Sequence, residues 1–387
     1  MTQRPTLRVK PREGKRARAG SPWLFSNEIE MSKAVEPGTI VNIVGDDGRG
    51  FGTGFFNPKS LIAVRLVDRA PDVAVDEAFF AQRLARALAL RESLYGTPYY
   101  RLTHAEGDNL PGLTIDRFGA TLVVQITTAG MEAVREPLIT ALRKLLRPKH
   151  IILRADAPVR SLEGLDLYVD AGDGGRIVIE ENGVRYFADA VAGQKTGWYY
   201  DQREHRAFMA QLAKGKSVLD AYSYTGGFAL AAAKAGARDV AGLESSAPAV
   251  ALAEEAASAN HLSANFIKAD VFEELERLAA AHETFEVVIA DPPPFVKAKK
   301  DLEVGAKAYR KLARLAAGVT APGGFLFLAS CSHNIGMERL ASECATGITR
   351  TGRSARLIRQ GGAGPDHPVH PMLPESAYLK ALVYALD

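Results

Sequence analysis

Cysteine is nearly absent: Cys331 and Cys344 are the only two among 387 residues. A disulfide framework and a cysteine-rich metal site are both excluded, no metal is expected, and such usage suits a reducing cytoplasm. No apolar run reaches the roughly 18 residues needed to cross a bilayer, so no membrane partner is expected. The charges near the N-terminus have no apolar stretch behind them, and no signal peptide is expected. The dinucleotide fingerprint G-x-G-x-x-G is missing, as is the lysine of a phosphate-cradling loop. Internal repeats and low-complexity tracts are missing too.

What is present is enough apolar sequence, 47% of the chain, to fold most of it, and a length that implies two or three domains. Residues 1–20 concentrate charge. Arg4, Arg8, Lys10, Arg12, Lys15, Arg16 and Arg18 face Glu13 alone, although the whole chain carries only +3. Such a cluster neutralises phosphates without reading sequence, which points to RNA; a solvated tail is the alternative. Residues 1–70 read as short strands at 38–44, 51–56 and 61–67 broken by glycine, with Asp46-Asp47-Gly48 as a hairpin turn, and so predict a small β-barrel. Asp68-Arg69-Ala70-Pro71-Asp72 reads as a linker.

A central α+β domain is expected over 71–180. Phe79, Phe80, Leu84, Leu88 and Leu94 recur near helical spacing over 76–95. Strands follow at 113–116 and 121–126, a helix at about 131–146, and strands near 150–154 and 176–180, with a turn-rich break at 170–175. From residue 181 strands alternate with alanine-rich helices. Strands at about 217–222, 239–244, 264–269, 285–290 and 323–330 predict a parallel sheet with helices on both faces. Ligands bind such sheets at the carboxyl ends of the strands. Asp220, Glu244, Asp270, Asp291 and Cys331 all fall at those ends.

The turn Asp220-Ala221-Tyr222-Ser223-Tyr224-Thr225-Gly226-Gly227 would let backbone approach a ligand lacking phosphate at that point. Glu244 suits the two hydroxyls of a ribose and repels an added phosphate. Asp270 suits the amino group of an adenine. Together with Tyr222, Thr225 and Gly226 these residues point to S-adenosylmethionine. The thiol then acquires a purpose. Carbon 5 of a pyrimidine is a weak nucleophile, and a thiolate adding to carbon 6 builds electron density there. Cys331 is the candidate nucleophile. Asp291 is a second catalytic candidate, through the base edge near N3, and also lines the cofactor. Phe295 could stack on a flipped base. Cys344, in an expected helix without such company, reads as packing. His333 reads mainly as a polar loop residue. Lys297, Lys299, Lys300, Lys307, Arg310 and Lys311 are either a phosphate-binding group or a solvated helix face.

The ordered motifs 23–29 (WLFSNEI), 112–119 (GLTIDRFG), 193–203 (GQKTGWYYDQR), 220–228, 291–295 (DPPPF), 330–332 (SCS), 366–369 (DHPV) and 373–380 (LPESAYLK) span nearly the whole chain. In them the sequence resembles the large-subunit ribosomal RNA cytosine-C5 methyltransferases that carry an N-terminal PUA domain. The resemblance implies an α/β protein. Its class I Rossmann-like methyltransferase domain (181–387) would follow a small β-barrel PUA-like RNA-binding domain (1–70) and a central α+β domain (71–180). It carries over Cys331 as nucleophile and Asp220, Glu244, Asp270 and Asp291 as cofactor residues. Residues 193–203 are expected to wall the cofactor or the flipped base, with Gln194 and Lys195 on the cofactor and Arg203 on the substrate. Lys10, Arg12, Arg16 and Arg18 would hold ribosomal RNA, and a homodimer is plausible by analogy. Pro294 stands where the family often has lysine. No second cysteine follows the Asp-Pro-Pro turn, which leaves Asp291 or a water to remove the C5 proton. Guanine-N7 methylation, uracil-C5 methylation, small-molecule methylation and a non-catalytic RNA-binding assembly role are the competing readings.

Overall fold

Alternation of apolar and polar residues in the first seventy positions gives a curled five-stranded sheet. In the computed structural model, which describes residues 4–32, 34–172 and 174–387, its strands run in the order Thr6–Arg8, Ile40–Val44, Gly50–Phe56, Val64–Asp68, Trp23–Leu24. Val9, Leu24, Ile29, Val41, Phe56 and Val64 fill its core. The expected hairpin turn joins Ile40–Val44 to Gly50–Phe56. Gly52 within it has φ +133°, and a Cβ there would lie 2.0 Å from the Asp68 carbonyl, so only glycine lets the strands approach.

A second five-stranded sheet follows, ordered Tyr168–Asp170, His150–Ala155, Thr121–Ile126, Leu113–Phe118, Tyr99–His104. Helix Glu77–Leu94 packs Phe80 and Leu84 into its core with Leu102, Ile115 and Val124. Asp76 caps that helix by accepting from the Phe79 N–H at 3.0 Å. Two expectations are corrected here. The helix expected at 131–146 is two, Ala129–Ala133 and Arg135–Leu146. Pro137 cannot donate backward but suits a first turn, so a new helix starts just before it. The strand near 176–180 does not complete this sheet. Arg176–Glu181 pairs with Val184–Asp189 as a separate two-stranded sheet, across Asn182-Gly183 with φ +51° and +74°, a turn preference the sequence carried. Within the turn at 170–175, Asp173 lies outside the described residues.

The chain folds as two compact units. The first holds Met1–Ile177, Asp189–Trp198 and Pro365–Pro374; the second holds Val178–Ala188, Tyr199–Gly364 and Glu375–Asp387. Both five-stranded sheets belong to the first.

The second unit is built on seven strands: β1 (Ser217–Ala221), β2 (Asp239–Glu244), β3 (Asn265–Lys268), β4 (Phe285–Ala290), β5 (Thr320–Ser330), β6 (Ala355–Gly361) and β7 (Lys380–Leu386). Their order is β3-β2-β1-β4-β5-β7-β6. The helices are α1 (Arg203–Ala213), α2 (Gly227–Lys234), α3 (Ala247–Ala259), α4 (Val271–Ala280), α5 (Leu302–Gly318) and α6 (Met337–Thr349). The first five strands are parallel, as expected, but β7 runs antiparallel to β5 and β6 antiparallel to β7. The sheet is therefore mixed. Its core joins Leu219, Val288 and Leu326 to Leu312 and Ala316 of α5 and Leu340 and Ile348 of α6. Cys344 is 1% exposed within it, and burial pushes its thiol far above the ordinary range. The chain leaves β1 for β2 and β3 and returns at β4, which opens a crevice between the carboxyl ends of β1 and β4. Among the described residues, no helix is long and apolar enough to cross a membrane.

Candidate active site

The turn after β1 is strained on purpose. Tyr222 and Tyr224 take φ of +68° and +50°, and Gly226 takes +83° before opening α2. A Cβ on Gly226 would meet the Phe266 ring at 2.9 Å. Asp220 lies at the end of β1, 1% exposed. One of its oxygens accepts from the Ala229 N–H at 2.9 Å, and the other has no partner. The hydroxyl oxygens of Ser223 and Thr225, 4% and 0% exposed, have none either. Buried polar atoms are normally paired, so three orphans in one turn describe a surface made for a ligand.

Glu244, closing β2, accepts from the Tyr224 N–H at 3.0 Å and the Ser246 N–H at 2.8 Å. Those bonds fix its carboxylate while leaving acceptor capacity for hydroxyls. Asp270 caps α4, accepting from the Phe272 and Glu273 N–H groups through one oxygen; the second oxygen and its exposure leave it available. Tyr222 is half-buried against the core below the turn.

Asp291 follows β4, its N–H 3.5 Å from the Ala221 carbonyl at the end of β1. Burial, then the charges of Asp291 and Glu244, push the Asp220 carboxyl up to about 8. A raised carboxyl keeps its stability contribution at low pH and loses it as pH rises from its usual value of 3.8 through about 8. A cationic ligand would reverse that loss by favouring the ionised form. We expect S-adenosylmethionine, with its ammonium and sulfonium charges, to bind more tightly as pH rises from about 6 to 8. The limit is about tenfold per unit, with a proton released in titration calorimetry run in buffers of different ionisation enthalpy. Asp220→Asn should flatten that dependence.

Cys331 follows β5, half-exposed and unbridged. The serines on either side of it share one anchor. Ser330 donates to the Tyr309 hydroxyl at 2.7 Å, and that hydroxyl lies 2.9 Å from the Ser332 oxygen. The Val296 N–H donates to Ser332 at 3.3 Å, tying in the Asp-Pro-Pro-Pro turn. Tyr309, at helical spacing in α5, thus sets the height of the thiol; it reads in the sequence as one more apolar core position. Tyr199 falls in the stretch 193–203 expected to wall the cofactor or the flipped base, though given no role of its own there. Its ring meets Tyr224 edge-on at 5.5 Å. Burial, then Tyr224, Asp201, Asp291 and Cys331, hold its phenol well above the usual range, which places it in electrostatic reach of both catalytic candidates. Asp201 in turn accepts from the Tyr378 hydroxyl at 2.5 Å.

Other expectations fare differently. Arg203 is 7% exposed and pairs with Glu181 at 3.3 Å. That pair holds its guanidinium inside the fold. Phe295 packs on Tyr309 at 4.8 Å and Phe272 at 6.0 Å and is half-buried. Arg310 and Lys311 are engaged by Glu343 and Glu276, whereas Lys297, Lys299, Lys300 and Lys307 are exposed. His333 is exposed, its ring 5.4 Å from Tyr378. Gln194 and Lys195 are exposed and fall in the first unit, so they are not among the residues that the second unit itself assembles. In the first unit Arg12 and Arg16 are exposed, Lys10 donates to the Asn27 carbonyl at 3.0 Å, and Arg18 pairs with Asp46 at 2.9 Å. Among the described residues no group of three His, Cys, Asp or Glu side chains could hold a metal.

A seven-stranded sheet with a ligand-shaped turn after β1 and acids at successive strand ends defines a Rossmann-like S-adenosylmethionine-dependent methyltransferase. The family model of that description matches residues 153–385, and one described as a PUA-like domain matches residues 7–69. "Ribosomal RNA large subunit methyltransferase I" of Shewanella denitrificans is 36% identical over 97% of this chain and 98% of its own. The protein of that name from Pseudoalteromonas atlantica is 37% identical over 94% of each. The chain belongs to this methyltransferase family. Among solved structures, a protein described as a SAM-dependent methyltransferase from Streptococcus mutans superposes with a TM-score of 0.82 at 22% identity, covering 98% of this chain and all of the other. A methyltransferase complexed with SAH superposes at 0.84 with 23% identity, covering 98% of this chain and 100% of the other. Both share the fold.

Proposed function

We propose that this protein methylates carbon 5 of a cytosine in large-subunit ribosomal RNA, with Cys331 as a covalent nucleophile. The observation that carries the reading is the thiol at the end of β5, clamped between Ser330 and Ser332, beside a turn whose orphaned Asp220, Ser223 and Thr225 oxygens fit an adenosyl-amino-acid ligand. Relatives over almost the whole chain are named for large-subunit ribosomal RNA. Glu244 would take the ribose hydroxyls, Asp270 the adenine amine through its second oxygen, and Asp220 the cationic end. When bound, S-adenosylmethionine supplies an electrophilic methyl group.

The thiolate of Cys331 would form a bond to C6 of the base, and the C5=C6 electron pair would move toward C5, which would bond to the methyl carbon as the methyl–sulfonium bond breaks, its electron pair staying on sulfur and the neutral thioether leaving. Asp291 hydrogen-bonds the base edge and stabilises the adduct. Transfer of the C5 proton to Asp291 or a water returns the C–H electron pair to C5=C6, and the C6–S bond breaks with its pair on sulfur, releasing the thiolate. Tyr309 and its two serines hold the sulfur in place throughout, so little orientation has to be bought at the moment of attack. Guanine-N7 methylation would need no thiol. Uracil-C5 methylation would use the same one.

Nucleoside mass spectrometry of unmodified large-subunit RNA incubated with protein and S-adenosylmethionine tests the reading: 5-methylcytidine is expected, and 7-methylguanosine or 5-methyluridine in its place would overturn it. Arg12, Lys15 and Arg16 project into solvent from the PUA-like domain. Replacing all three by Gln in the full chain should weaken RNA binding and lower the slope of log K against log salt by about two, at roughly 0.7 per phosphate contact.

A further inference from the structure

Lys380 opens β7 directly opposite Ser330 in the β5–β7 register. It is 7% exposed, in a position where a cation is expensive. Its ammonium donates to the Ser332 carbonyl at 2.7 Å and the Tyr378 carbonyl at 2.9 Å. Among the described residues no carboxylate pairs with it. An ammonium has three donors, and two are spent. The carbonyl that anchors it belongs to the residue after Cys331, one position along the chain from the thiol. Burial lowers the Lys380 ammonium from its ordinary range, and Cys331 is the group that opposes that change.

We propose that Lys380 is the counter-ion of the Cys331 thiolate, a positioning residue that holds the sulfur ionised near neutral pH. The inference rests on the reading of Cys331 as nucleophile. A buried cation with only carbonyl dipoles is incomplete, and a thiolate next to it completes the pair. Among the described residues, the other groups considered around the sulfur supply no buried positive charge. Asp291 after β4 is acidic, the Tyr199 and Tyr309 phenols are raised by burial, and His333 lies exposed in the loop. Lys380 is then a fixed positive charge held on the sulfur's own sheet. The bonds to Ser332 and Tyr378 aim it, which a mobile surface lysine could not match.

The test is alkylation of the full-length protein with iodoacetamide across pH 5.5–9.5, followed at the Cys331 peptide by mass spectrometry. Cys344, 1% exposed, should stay unmodified. In the native protein the midpoint of the rate profile should lie at least one unit below the free-thiol value of about 8.5. A midpoint at or above 8.5 overturns the proposal without any variant. Lys380→Met should move the midpoint up by one unit or more and slow alkylation at pH 7 about tenfold, with Lys380→Arg retaining most of the effect. Its methylation kcat should fall in step and recover as pH rises, with KM for RNA unchanged. An unmoved profile in folded Lys380→Met that still binds S-adenosylmethionine also overturns it. Failure of the underlying reading looks different: Cys331→Ala would then methylate RNA normally, whatever the alkylation profile shows.

Discussion

Replacing Cys331 by Ala should lower single-turnover methylation by at least about 10⁴-fold, the scale on which loss of a covalent nucleophile is felt. S-adenosylmethionine affinity should stay within about twofold. The reason for the first figure is chemical. Without addition at C6, C5 must attack the methyl group from an aromatic ring that has little electron density to give. The reason for the second is structural. The atoms proposed to face the cofactor belong to the turn after β1 and to Glu244, on strands other than the one that carries the thiol. Cys331 is half-exposed, so its truncation opens no core cavity and should not unfold the protein. Cys331→Ser should be nearly as inactive, because a hydroxyl lacks the low pKa that makes a thiol useful at neutral pH. Transfer of labelled methyl to RNA, with calorimetry of the same samples, reads both quantities. Ordinary turnover by Cys331→Ala would remove the covalent mechanism and leave the fold and cofactor intact.

What the sequence showed and what it hid follow from range. Asp220, Glu244, Asp291 and Cys331 were legible because strand ends are marked by short apolar runs, and a parallel sheet gathers those ends whatever the packing elsewhere. The five parallel strands lie within a few residues of their expected places. β6 and β7 were missed because neither follows the strand–helix alternation that exposed the others. β6 is an edge strand studded with Arg356 and Arg359, a pattern that protects an edge and weakens the strand signal. Tyr309 was missed because its hydroxyl matters only once α5 lies on β5, twenty-one residues later in sequence. Lys380 was quoted in a motif without a role, since nothing local says that a lysine opening a strand will be buried beside a thiol. The PUA-like sheet was readable from its glycines, yet which of its arginines face solvent was not: Arg18 is tied to Asp46, and Arg12 is exposed.

Arg203, expected on the substrate, lies in a buried ion pair, and that pair yields the second large effect. Glu181, 4% exposed, accepts from Arg206 at 2.6 and 2.8 Å and from Arg203 at 3.3 Å. Arg206 also donates to the Tyr199 carbonyl at 2.9 Å. One carboxylate therefore neutralises two buried guanidiniums. Through Arg206 it also anchors the segment whose Tyr199 ring rests on the cofactor turn. Removing one partner of a buried ion pair costs far more than the pair contributes, because the remaining charge has nowhere to go. Glu181→Ala should lower stability by about 3–5 kcal/mol, read as a fall in the urea midpoint. Glu181→Gln, which keeps the shape and one acceptor, should lose less. S-adenosylmethionine binding should weaken in the alanine variant even where it remains folded, since Tyr199 loses its tether. Arg203→Gln distinguishes the structural role from the phosphate role directly. It should destabilise the protein while leaving the salt slope of RNA binding unchanged, whereas a phosphate ligand would lower that slope by about 0.7.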